Sequence, residues 1–456
     1  VDLGGYTWEQ QKRTPLILTV ILGCIWGYLI FQNFQLASDY PNPEASSIYL
    51  EYADREMRML DGAADGPALM RWYFEVAEPE KVLESLALTF DTARDHRSLD
   101  HDEDLVRILT YWELGEKDPA LRLARAAWEE DDVSRRIMKT IAGGEPVAES
   151  DVAELRQTVI EGEGRAWDAR VLRLVEGEDH WGAYRSRSKG LAWRILVTDL
   201  AILAALILAL LCVPLMMKNW KATGCPRPHR VTHPWTAPFV LGVFFGTDLI
   251  ARFAFDFLVI GFGQTMDWWP VALGFDTLWR MLPVILVMVY LFNKPTHMFR
   301  VFGLDRRADW TMAFGMLALL WLIPWIAGLF MDMRSIPVDP TDFILYARPT
   351  FGEMVLVFFS SCVMAPISEE ILFRGLLFMG LRKASGPWAA LVLSSVLFGL
   401  MHWQYDLVGV LSVMVFGAGN ALLVWRTGSL VPAILLHAIY NFLITLSVAV
   451  AYELPI

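Results

Sequence analysis

The 456-residue sequence is poor in charge, in cysteine and in recognisable soluble-hydrolase motifs. Charged residues make up 20% of it against 55% hydrophobic. Those proportions, with a mean hydropathy of +0.38, exclude a disordered chain and an ordinary water-soluble enzyme. The cysteines are Cys24, Cys212, Cys225 and Cys362, with no CxxC and no zinc-like spacing. That excludes a disulfide framework or a cysteine metal centre. There is no excess of basic residues: the net charge is -12, which excludes a nucleic-acid binder working by bulk electrostatics. Neither GxSxG nor HExxH occurs, so the serine-elbow and zincin signatures are missing. What is abundant is aromatic, with 19 Trp and 26 Phe, residues that gather at membrane interfaces.

The charge is unevenly spread. Residues 36–190 hold 34 acidic and 20 basic side chains, a net of -14, and the other 301 residues hold 17 and 19. Within 36–190 strand-like alternation is absent. Apolar residues recur at three- and four-residue spacing over Glu80–Arg94, Asp102–Leu114, Pro119–Glu130, Ser134–Ile141 and Glu149–Glu161, with Asp100, Asp118 and Ser150 as expected caps. Outside this region lie nine apolar runs, at 15–31, 191–217, 235–263, 271–292, 310–331, 350–381, 388–403, 408–425 and 430–451. Each is near or above the length a span requires. The 350–381 run contains Pro366 and reads either as one kinked helix or as a span plus a short helix. The fold expected is all-α: a polytopic membrane helical bundle of about nine spans with an inserted extramembrane helical domain. Its parts are an anchor at 1–35, an acidic domain at 36–190 and an eight-helix body at 191–456. No small-residue cleavage site follows the first run, which therefore reads as an uncleaved anchor. Lys12, Arg13, Lys218, Lys221, Arg227, Arg230, Lys294, Arg300, Arg306, Arg307, Arg382, Lys383 and Arg426 fall on alternate loops. The positive-inside rule makes that side, with the N-terminus, cytoplasmic and puts the acidic domain outside. The location expected is a bacterial cytoplasmic membrane.

Ionisable groups inside a bilayer are candidates for function. One set is Asp248, Arg252 and Asp256, with Asp276 and Arg280 on the next span. Their four-residue spacing stacks opposite charges on one face, so charge neutralisation within the bundle is the expected role. The second set lies in the last 90 residues. Glu370 and Arg374 stand four apart and can pair, while Glu369 points about 100° round the helix and is left free. His402 follows one helix later, and His437 and Asn441 share a face of the last helix. Counted from the basic loops, Glu369, His402, His437 and Asn441 lie about 16–23 Å in, at about 1.5 Å per residue. Four polar groups at one depth in an apolar region point to hydrolysis. A Glu beside a His can deprotonate water, and His and Asn donors can stabilise an oxyanion. Glu369, His402 and His437 also make a donor set that zinc takes, the metal-dependent alternative.

These residues read Glu369-Glu370-x-x-x-Arg374, Phe398-x-x-x-His402 and His437-x-x-x-Asn441. The order and spacing resemble those of the CAAX-prenyl-endopeptidase-like and bacteriocin-processing family of intramembrane proteases, with Pro366 and Gly375 also in keeping. The resemblance covers roughly 360–445 closely. It implies that Glu369 and His402 hold and activate water, that His437 and Asn441 form the oxyanion site, and that Glu370 and Arg374 pair and orient their helix. It implies a membrane-bound peptide or protein as substrate. It does not account for the anchor or the acidic domain, which reads as a module for a protein partner or substrate. No nucleic acid and no cofactor are expected. A non-catalytic immunity or scaffold protein using the same pocket, or a carrier using the Asp248 stripe, is the alternative.

Overall fold

A computed structural model of the chain describes residues 16–38, 46–74, 76, 78–96, 98–126, 132–162, 164–177, 181–222, 235–262, 269–292, 295–305, 309–330, 350–403, 405 and 407–454. Every regular element among them is helical. Apolar helices occupy all nine apolar runs. Gly182–Trp220, Ala237–Ala254, Phe351–Ser385, Leu407–Thr427 and Val431–Ala451 are long and apolar enough to cross a membrane, and Leu16–Gln32, Arg280–Leu291, Trp310–Ile323 and Pro387–Leu400 are shorter. The chain is an all-α integral membrane protein.

The first helix, α1 (Leu16–Ser38), is followed by α2 (Ser46–Ala63), the short α3 (Ala68–Tyr73) and α4 (Pro79–His96). Next come α5 (His101–Glu113), α6 (Lys117–Ala126), α7 (Val133–Gly143), α8 (Glu149–Glu161) and α9 (Ala166–Glu176). Apolar stripes of α2 and α4–α9 bury Met57, Phe90, Leu105, Ile108, Ile137, Leu155 and Trp167 in one core. Asp100 caps α5: its side chain accepts from the backbone of Asp102 and Glu103, and Glu103 reaches back to the Asp100 N–H. The other two expected caps lie elsewhere. Asp118 falls inside the first turn of α6. Ser150 falls inside α8, whose N-cap is Ala148 with no side-chain bond. Glu149 and Asp151 in that first turn offset the helix dipole instead.

The long α10 (Trp181–Leu210) runs from this core into the membrane body and continues in α11 (Cys212–Ala222). It meets α2 backbone to backbone, since a Cβ on Gly62 would lie 2.2 Å from the Ser188 carbonyl oxygen. The body adds α12 (Ala237–Phe262), α13 (Trp269–Leu291), α14 (Pro295–Val301), α15 (Trp310–Phe330), α16 (Phe351–Ser385), α17 (Pro387–Leu400), α18 (Leu407–Thr427) and α19 (Val431–Ala451). A second core unites them around Phe244, Phe302, Phe373, Leu376, Phe378 and Phe398. α1 joins it through Trp26, whose indole N–H donates to Asp248 at 3.0 Å. On the basic-loop side, Gly303 (φ +63°) approaches Gly428 closely, and Ser429 Oγ donates to its carbonyl at 2.6 Å.

The 350–381 run is one helix. Thr350 and Glu353 form a capping box at its start. It widens into π turns over Ser360–Met364 and Glu370–Met379, on either side of Pro366. Wide turns of this kind often sit at functional positions.

Candidate active site

The first π turn carries a consequence for the site. The Ala365 N–H donates to the Ser360 carbonyl, five residues back. In the same pattern the next N–H, at position 366, would serve the Ser361 carbonyl, and residue 366 is proline, which has none. Asn441 fills the gap: its Nδ2 donates to the Ser361 oxygen at 2.8 Å. α19 is thereby pinned to α16 one turn away from His437.

Past Pro366, α16 presents its two carboxylates differently. Glu370 is fully buried. Its Oε1 lies 3.1 Å from Arg374 Nη1, accepts from His437 Nδ1 at 2.9 Å, and lies 3.4 Å from Asn420 Nδ2. Glu369 faces another way. Its Oε1 is 3.7 Å from Arg280 Nη1 on α13, and its Oε2 is 3.8 Å from His437 Nε2. That Oε2 is buried and has no hydrogen-bond partner. His437 therefore stands between the two carboxylates, bonded to one and facing the other. A carboxylate only accepts, so the Nδ1 proton points at Glu370 and Nε2 is the atom turned to Glu369.

Phe398 and His402 come from α17 and the turn after it. The His402 Nδ1 lies 2.8 Å from the Phe398 carbonyl. A carbonyl cannot donate, so Nδ1 carries the hydrogen and Nε2 keeps its lone pair. Glu369, His437 and Arg280 lie close enough to act on this ring electrostatically. Phe398 explains its own place in the motif. Its ring lies under the Arg374 guanidinium at 4.1 Å, and it meets the His402 and His437 rings edge-on at 4.8 and 6.1 Å. Arg374 is buried with Nη1 and Nη2 lacking hydrogen bonds, so this aromatic face and Glu370 are what hold its charge.

The first polar set divides. Asp248 accepts from Arg252 Nε at 2.7 Å and from Trp26, a neutralised pair that also docks α1. Arg252 Nη2 reaches Met401 Sδ at 3.2 Å, beside His402. The side chains of Asp256 and Asp276 lie outside the described residues. Arg280, grouped in the sequence with that stripe, also stands opposite Glu369 at 3.7 Å. That contact is on another helix, beyond the reach of spacing arguments. Asn420 on α18 was also missed. The signal was present: it is the one Asn in the 407–425 stretch, where Ser412 is the other polar side chain.

His437 turns Nε2 toward Glu369, and His402 has Nδ1 engaged by the Phe398 carbonyl. Glu369, His402 and His437 are not gathered as a metal-holding group, and no cluster of three such residues occurs among the described residues.

Residues 351–443 match the family described as type II CAAX prenyl endopeptidase Rce1-like. That segment contains all three motifs, so the likeness drawn from them is matched by the family model over these residues. An uncharacterized 24.3 kDa protein of Escherichia coli is 26% identical over 128 residues, 25% of this chain and 59% of that protein. The chain thus spans 59% of the length of that curated relative. No solved structure matches.

Proposed function

We propose that the protein is an intramembrane endopeptidase of the glutamate type, hydrolysing a peptide bond of a membrane-associated peptide or protein. The observation that carries this reading is the buried, unpartnered Glu369 Oε2 facing His437 Nε2 at 3.8 Å. An unsatisfied carboxylate oxygen is costly to bury unless something else uses it. Two acceptors at that separation can share one water. Glu369, assisted by the His402 Nε2 lone pair, takes a proton from this water, and the hydroxide adds to the scissile carbonyl. The resulting oxyanion is met by the second Asn441 N–H, its first being engaged by Ser361, while His437 Nε2, an acceptor here, helps hold the water. The proton returns to the amide nitrogen, the C–N bond breaks, and an acid and an amine leave. Glu370 and Arg374 position His437 and act through it. Arg280 places a positive charge 3.7 Å from Glu369 Oε1 and orients that carboxylate.

In the same reading, residues 36–190 form a helical domain outside a bacterial cytoplasmic membrane, the N-terminus is cytoplasmic, and the domain receives substrate or a protein partner.

The test is cleavage of prenylated and unprenylated peptides by wild type and Glu369→Gln in nanodiscs, with and without chelator, read by mass spectrometry. Wild type should cut, with or without chelator, and the variant should lose about 10²–10⁴-fold in rate, the range for a general base. Equal cutting by both removes Glu369 as the base. Sensitivity to chelator restores the metal alternative. Tight binding without cutting by either protein makes it a binding protein.

A further inference from the structure

The short helix α3 stands apart from the reaction and points to a different surface. It exposes two large apolar residues, Trp72 at 74% and Leu69 at 49%, while Met70 between them is fully buried. Met70 packs on Ala192 and Leu196 of α10, with Ala63. One turn further on, Tyr73 donates its hydroxyl to Asp199 Oδ2 at 2.6 Å. α3 therefore lies along α10 over residues 192–199.

That stretch can be placed against a bilayer. From Leu200 to Met217 α10 and α11 hold 18 consecutive uncharged residues, a length of about 27 Å at 1.5 Å per residue, close to the thickness of a hydrocarbon core. Lys218 ends the stretch on one side and Asp199 on the other. Residues 192–199 thus occupy the headgroup layer, roughly 5–7 Å deep, and its edge. Trp193, Val197 and Leu200 expose apolar side chains on the same helix, and the surface they form is the lipid-facing side of α10. Trp72 and Leu69 extend that surface sideways at the same level. Trp72 and Trp193 are exposed aromatic residues of the type found at membrane–water interfaces.

We propose that α3 is an interfacial foot: Leu69 and Trp72 insert into the headgroup–acyl boundary of the leaflet on the side of the acidic helices. Met70 and Tyr73 fasten the foot to α10, so the acidic helices are held at a fixed height over the bilayer. The occupant of this surface is lipid, since it continues a lipid-facing helix side at headgroup depth.

The test uses full-length protein with its four cysteines replaced, a single cysteine at position 69 or 72, and an environment-sensitive fluorophore attached. A third cysteine replaces Ile160, which is 47% exposed. Its carbonyl accepts from Arg187, which stands 13 residues before Leu200 and so about 20 Å outside the core. The samples are nanodiscs of phosphatidylcholine and phosphatidylglycerol, with and without nitroxide-bearing lipid. The probes at 69 and 72 should emit blue-shifted light, lose at least half their intensity to nitroxide lipid and resist aqueous iodide. The probe at 160 should do the reverse. If 69 and 72 respond like 160, the foot stands in water and the proposal fails. If they resist both quenchers, a protein surface covers them and the proposal fails in favour of a protein partner. Two positions are used so that a misfolded variant at one leaves the other to decide. The outcome is independent of whether the protein cuts peptides.

Discussion

Pro366 has no N–H to give, and Asn441 supplies what it lacks. Asn441→Ala strands the part-buried Ser361 carbonyl and should cost about 1 kcal/mol, the usual net worth of such a bond. In a Pro366→Ala background the N–H at 366 exists, and it can serve the Ser361 oxygen across the π turn. The same Asn441→Ala change should then cost less than half as much. A double-mutant cycle of unfolding in detergent reads the difference, and equal costs in both backgrounds would refute the account. The cycle also separates an anchoring role for Asn441 from a catalytic one. Activity lost from Asn441→Ala should stay lost when Pro366→Ala restores stability, if the second amide hydrogen serves the oxyanion. The four-residue spacing placed His437 and Asn441 on one face, and that was legible. The partner of Asn441 was not, because it exists only where α16 widens by one residue, which periodicity does not report. Glu369, Glu370 and Arg374 could be told apart by angle alone. The link from His437 to both carboxylates needed a contact between α19 and α16, which a single sequence does not encode locally.

Helices in this chain approach each other where a side chain is missing. α2 meets α10 at Gly62, where a Cβ would fall 2.2 Å from the Ser188 carbonyl oxygen and 2.6 Å from the Lys189 nitrogen. Neither atom can step aside as a flexible side chain would, so the two helices must part. Gly62→Ala should cost on the order of 1–3 kcal/mol, as overpacking does. It should also raise amide exchange in α2 and in the 184–192 part of α10. Gly190 is the control: it is two residues past Ser188 on α10, with nothing within 4 Å of its Cβ position. Gly190→Ala should be neutral or stabilise by up to about 1 kcal/mol through helix propensity alone. If both variants unfold alike, backbone contact is not what limits position 62. At this scale the elements were largely readable. Nine apolar runs gave nine apolar helices, and five periodic stretches gave α4 to α8, because amphipathic spacing is a local property. The cap at Asp100 was read correctly, while Asp118 and Ser150 were placed a residue or two wrong. Polar residues at a helix start serve equally as caps or as first-turn charges.

Across the whole molecule the acidic charge is gathered in residues 36–190, and there it is also partly buried. Asp168 accepts from Ser134 Oγ at 2.6 Å and from the Arg165 N–H at 2.8 Å at the start of α9. Burial pushes its carboxyl up from the ordinary 3.8 to about 6, against the pull of those two bonds. Burial also raises Asp54, Asp102 and Asp104. A carboxyl raised on folding binds a proton in the folded state that the unfolded chain has released. Stability therefore falls as pH rises through the window between the two values and grows as pH falls through it. For Asp168 the window runs from about 4 to about 6, and its full span is worth roughly 3 kcal/mol at 1.36 kcal/mol per unit. Protonation in the same window also relieves repulsion within a region of net charge -14. The acidic helices should thus gain stability between pH 7 and pH 4.5, opposite to proteins whose carboxylates are stabilised by pairing. Hydrogen exchange of the full chain in detergent, followed over α7 to α9 across that range, should slow beyond the intrinsic pH effect as the medium is acidified. Asp168→Asn, which does not titrate in this range, should flatten the curve. A protection profile that instead rises with pH, in wild type and variant alike, would mean that ion pairs such as Arg156–Glu176 and Arg136–Glu154 govern this region and the buried carboxyl does not.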